Sequence, residues 1–116
     1  MTIEFQQSQL DIDKEIASAI IECTPEEYYD FELTLTYRKN YSGSIGTIEH
    51  ILCSLDGKDN TLTPSIDVYS ATQKLNRLFF EHKIEWEQVI YHVHCDESDK
   101  WHYQVDFKYP KQEARN

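Results

Sequence analysis

From Trp101 to Tyr109 every second residue is apolar or aromatic: Trp101, Tyr103, Val105, Phe107 and Tyr109, with His102, Gln104, Asp106 and Lys108 between. A period of two belongs to a strand, because successive side chains point to opposite faces. Val89, Tyr91, Val93 and Cys95 repeat the pattern upstream, and Asp96-Glu97-Ser98-Asp99-Lys100 separates the two runs. Two alternating runs around a short polar turn predict a β-hairpin. Pro110 stops the second run, since proline cannot donate to a ladder.

The hairpin needs a layer to cover its apolar side, and two helices are predicted to provide it. Ser8 to Cys23 carries Ile12, Ile16, Ile20 and Cys23 on one stripe, with Ala19 beside it. Ser8 and Asp11 resemble a capping box, and Thr24-Pro25 ends the helix because a residue before proline leaves the α region. Pro25 to Tyr29 adds a short turn. The second helix opens at Ser70, with Gln73 at the matching capping position and Ala71, Leu75, Leu78, Phe79 and His82 on its inner stripe. Trp86 stands at its exit.

Between the helices, Phe31, Leu33, Leu35 and Tyr37 alternate with Glu32, Thr34 and Thr36, which marks a half-buried strand. Ile45 to Leu55 forms the next strand, bent near Gly46, and Asp56 to Asn60 is a turn. Thr61 to Val68 reads as a third strand, held to an edge by Pro64. The order helix, strands, helix, hairpin predicts an α+β fold. It has an antiparallel sheet of about four to five strands with two main helices packed on it. Residues 1–116 fit a single domain, with a core over about 8–110 and a polar tail at 111–116.

The charge balance is the other unusual feature. Asp and Glu total 21 against 11 Lys and Arg, a formal charge of −10. Such a field repels nucleic acid and speeds encounter with a basic protein. The acids come in groups: Asp11, Asp13 and Glu15; Glu26, Glu27, Asp30 and Glu32; Glu81, Glu85 and Glu87; Asp96, Glu97 and Asp99. Each group taken singly is a solvated surface. Glu26, Glu27, Asp30, Asp96, Glu97 and Asp99 are the candidate contacts for a basic partner.

Cys23, Cys53 and Cys95 are an odd, widely spaced set without a CxxC pair, which fits reduced, buried thiols better than a disulfide scaffold or zinc ribbon. The start has neither a basic segment nor a long apolar one, so no signal peptide is read there. No apolar run approaches the ~20 residues of a membrane span. The cytoplasm is the expected compartment. Catalytic signatures are missing too: no P-loop, GxGxxG, nucleophile elbow or Cys-protease motif occurs, and neither enzyme activity nor a cofactor is expected. The metal-ligand candidates are His92, His94 and His102, which share one strand face with Asp106 in a suitable register.

The segment KLNRLFFEHKIEWEQVIYHVHCDESDKWHYQVDFKYP, Lys74 to Pro110, resembles the end of the YezG-like bacterial immunity proteins. The resemblance rests on an amphipathic helix, Trp86 before a strand, the acidic turn Asp96 to Lys100, Trp101, and Asp106-Phe107-Lys108-Tyr109. It covers about a third of the chain closely and the rest only in the order of elements. Thr63 to Val68 departs from the family in being shorter and less charged before the second helix. The resemblance implies an antitoxin: an immunity protein that neutralises a cognate domain of a polymorphic or contact-dependent toxin. Many such toxins are nucleases with basic clefts, and blocking the cleft is the expected mode. The alternatives are a small metal-dependent enzyme or metal-binding protein using the histidines, and a homo-oligomeric adaptor. Monomer and homodimer both remain open.

Overall fold

The computed structural model describes residues 2–56 and 61–110; the polar tail and most of the Asp56–Asn60 turn lie outside them. The elements run α1 (Ile3–Cys23), β1 (Asp30–Arg38), β2 (Thr47–Ser54), β3 (Thr61–Leu62), α2 (Ile66–Glu81), β4 (Gln88–Cys95) and β5 (Trp101–Lys108). The five strands form one sheet in the order β3-β2-β1-β4-β5. Every neighbouring pair is antiparallel, with β1 at the centre. The fold is α+β, as the order of elements predicts.

The alternating residues explain where the core lies. Phe31, Leu33 and Leu35 of β1, Leu52 of β2, and Val89, Tyr91 and Val93 of β4 are buried on one face. Phe5, Ile16, Ala17 and Ile20 of α1 and Val68, Ala71, Leu75 and Phe79 of α2 close over them. A strand buried on one face and open on the other gives this clean alternation. Both helices lie on that one face. The opposite face carries Glu32, Thr34, Ile51, Ile90, His92 and Asp106, and among the described residues no helix covers it.

Both helices begin earlier than predicted. Thr2 caps α1, its hydroxyl accepting from the Phe5 N–H at 3.1 Å, so the helix starts at Ile3 rather than Ser8. Phe5 anchors this added turn with its ring 5.8 Å from Phe79 and 4.9 Å from the otherwise exposed His82. The polar run Gln6 to Gln9 hides the register linking Phe5 to Ile16. Ser65, not Ser70, caps α2, accepting from the Val68 N–H at 3.3 Å. Ile66 to Val68, predicted to continue the third strand, is the first turn of α2, which leaves β3 only two residues.

Three burial expectations also change. The alternating row of β5 is half covered: Trp101, Val105 and Phe107 are partly buried, while Tyr103 and Tyr109 are 41% and 42% exposed. The helices sit mainly over β1, β2 and β4 and meet the last strand at Phe107, whose ring lies 5.8 Å from Phe79. The three thiols are free and only half buried. Asp13, grouped by sequence with surface acids, is 4% exposed.

Gly46 marks a close approach between the elements. Its N–H donates to the Tyr37 hydroxyl at 3.0 Å, and its carbonyl accepts from Asn76 Nδ2 of α2 at 3.0 Å. A Cβ at this position would overlap the Arg38 carbonyl oxygen and the Tyr37 ring. Gly46→Ala is expected to cost about 1–3 kcal/mol, through the strain of forcing atoms into a filled space. A urea titration showing an unshifted midpoint would count against the clamp.

Candidate functional site: the acidic end of the sheet

Because β1 runs antiparallel to both its neighbours, its start lies beside the ends of β2 and β4. Three connections therefore meet at one end of the sheet: residues 24–29, Leu55-Asp56 and Asp96–Lys100. Backbone bonds join them. The Cys95 N–H donates to the Tyr29 carbonyl and the Leu55 N–H to the Asp30 carbonyl, each at 2.8 Å. Asp56 ties the loops further, accepting from the Tyr29 N–H at 2.7 Å and the Ser54 hydroxyl at 2.8 Å. Desolvation pushes its carboxyl up, but these bonds outweigh it and hold it below the usual carboxylate range.

All the acids predicted as partner contacts gather here. Glu26 and Glu27 come from the loop before β1, Asp30 from its first residue, and Asp96, Glu97 and Asp99 from the β4–β5 turn. Asp56 belongs with them; its long-range role was hidden because it read as an ordinary turn residue. Lys100 is the base that accompanies them among the described residues, and Arg38, Lys39 and Lys108 lie at the opposite end. Tyr29 and Leu55, 52% and 48% exposed, stand among the carboxylates. Apolar side chains within a charged rim are the usual make-up of a protein-binding surface.

The acids divide by what they touch. Asp96 Oδ1 accepts from the Ser98 and Lys100 N–H groups at 2.8 and 3.0 Å, and Oδ2 lies 2.7 Å from His102 Nε2. The His102 bond, followed by the Lys100 N–H, pulls its carboxyl below the usual range. Asp96 thus builds the turn. Asp99 holds a left-handed conformation at φ 62°, a place that suits Asp or Asn better than bulkier residues. Asp30 Oδ1 lies 2.5 Å from His92 Nε2. Glu26, Glu27 and Glu97 are exposed side chains on the loops.

The histidines continue from this end onto the uncovered face. His92, His94 and His102 stack as a ladder, with ring centroids 5.4 and 5.3 Å apart and interplanar angles of 29° and 25°. Nε2 of His92 and of His102 each face a carboxylate, and His94 Nδ1 is buried without a hydrogen-bond partner among the described residues. Parallel rings do not aim their nitrogens at one point. Asp106, the fourth donor, pairs across the strands with Ile90 rather than with the His94–His102 row. Among the described residues no group of three or more His, Cys, Asp or Glu has the arrangement to hold a metal ion.

No protein-family model matches the chain, and no curated protein matches it. No helix among the described residues is long and apolar enough to cross a membrane.

Proposed function

We propose that this chain is an immunity protein of the YezG-like kind. In this reading it binds a basic toxin domain, a nuclease by expectation, at the acidic end of its sheet and blocks the active cleft. The observation that carries the reading is the meeting of acids remote in sequence, Glu26, Glu27, Asp30, Asp56, Glu97 and Asp99, around exposed Tyr29 and Leu55. The likeness of Lys74 to Pro110 to that family supports the same reading. Clustered charge raises the rate of encounter, and the apolar side chains slow release once water is excluded.

The test is association with a toxin domain, sought in the gene adjacent to this chain's own. Reversing Glu26, Glu27 and Glu97 to Lys is expected to cut the association rate by about 10- to 100-fold at low salt and to flatten its salt dependence. Reversing Glu81 and Glu85 at the far end serves as the control. These positions leave Asp96 and Asp30 in place, so the fold keeps its turn. Equal rates for both triple and control variants would remove the acidic end from the interface.

A further inference from the structure

The two edges of the sheet are built differently. One ends in β3, two residues long, with Pro64 following closely. The other is β5, eight residues paired with β4 in unbroken one-to-one register from Gln88↔Lys108 to Cys95↔Trp101. No bulge, no proline and no lysine interrupts β5 between Trp101 and Phe107. Among the described residues no strand pairs with its outer side, which presents a row of backbone N–H and C=O groups to a further strand. Tyr103 and Tyr109 project on the helix side and are 41% and 42% exposed there.

We propose that two copies of the chain join edge to edge through β5, antiparallel, with the two-fold axis at Gln104. The pairing follows from the side-chain pattern. Keeping both helix layers on one side of the joined sheet requires helix-side residues to face helix-side residues, which confines the axis to a residue position. Centred on Gln104, Tyr103 meets the partner's Val105, Trp101 meets the partner's Phe107, and His102 meets the partner's Asp106. Every such contact occurs twice. Centring on Val105 instead sets His102 against the partner's Lys108, and centring on Tyr103 carries Phe107 past the strand end to the partner's Asp99. Within Trp101–Phe107 the Gln104 register sets each helix-side pair apolar against apolar and His102 against Asp106, while Lys100 faces the partner's Lys108 at the margin of the pairing.

A charge of −10 on each copy opposes association, but antiparallel pairing keeps the acidic ends apart. Ser98 and its symmetry mate lie twelve residues apart along the strands, about 40 Å at ~3.4 Å per residue, several times the ~10 Å Debye length. The joined sheet leaves both acidic ends open, so this inference stands independently of the proposed function.

Sedimentation equilibrium of the full chain, without toxin, from low to high micromolar concentration is expected to show a monomer–dimer equilibrium. Asp106→Lys is expected to weaken the dimer about tenfold or more. Gln104→Cys, opposite itself on the axis, is expected to form a 104–104 disulfide on mild oxidation, located by peptide mass mapping, while Asp106→Cys forms none with itself. A monomer at every concentration overturns the proposal. So does a dimer that Asp106→Lys leaves unchanged and whose Gln104→Cys form does not cross-link.

Discussion

Asp13→Asn is expected to stabilise the fold at pH 7.5 by about 2 kcal/mol and to raise Tm by about 8 °C. Asp13 lies on the buried stripe of α1, 4% exposed, with its Oδ1 2.5 Å from the Tyr91 hydroxyl that donates to it. Burial drives its carboxyl up from 3.8, the Tyr91 bond draws it partly back, and it titrates at about 6. Burial and the neighbouring Asp13 charge push the Tyr91 phenol up in turn. A carboxyl raised on folding binds its proton more tightly in the native state. The fold therefore loses stability as pH climbs from about 4 to 6, and the loss is complete above that. The climb from 3.8 to about 6 is worth ~3 kcal/mol, of which the buried amide of Asn gives back part. Tyr91→Phe acts oppositely, leaving a buried carboxylate without its donor at a cost of about 1–3 kcal/mol above pH 6. Thermal melts of the three proteins from pH 4 to 8 separate the cases. If the Asn protein kept the wild-type pH slope, Asp13 would not be its source.

Phe79→Ala is expected to remove about 3–5 kcal/mol, a large part of the stability of a domain this size. Phe79 is fully buried on α2, and its ring lies 5.8 Å from Phe5, 5.9 Å from Trp86 and 5.8 Å from Phe107. It thus joins the start of α1, the exit of α2 and the edge strand. Aromatic contacts of this kind add to the stabilisation from the area they bury. The expected signs are a melt lowered by roughly 15 °C and early loss of protection of the amides in α1. A drop below ~1 kcal/mol would show that the cluster repacks.

Side-chain periods were enough to read three of the five strands. Strand alternation at Phe31–Tyr37, Val89–Cys95 and Trp101–Tyr109 placed those strands within about a residue or two, since one face must be buried and the other need not be. Helix starts were harder. Ile66 to Tyr69 is rich in strand-forming residues, yet Val68 gains more by burial in the core than the segment loses in propensity, and Ser65 supplies the cap. The first turn of α1 was obscured by four polar residues and is held by Phe5 reaching across to α2.

The candidate site divides the same way. The acids were visible as groups, and their residue types suggested a basic partner. Only the antiparallel order of β2, β1 and β4 brought the loops carrying them to one end, and only burial separated Asp13 from the surface acids. Local sequence determined which segments alternate, where chains turn and how much negative charge there is. Tertiary structure decided which acids meet, which one is desolvated and which strand is left at an open edge, because these depend on pairing between residues far apart in the chain.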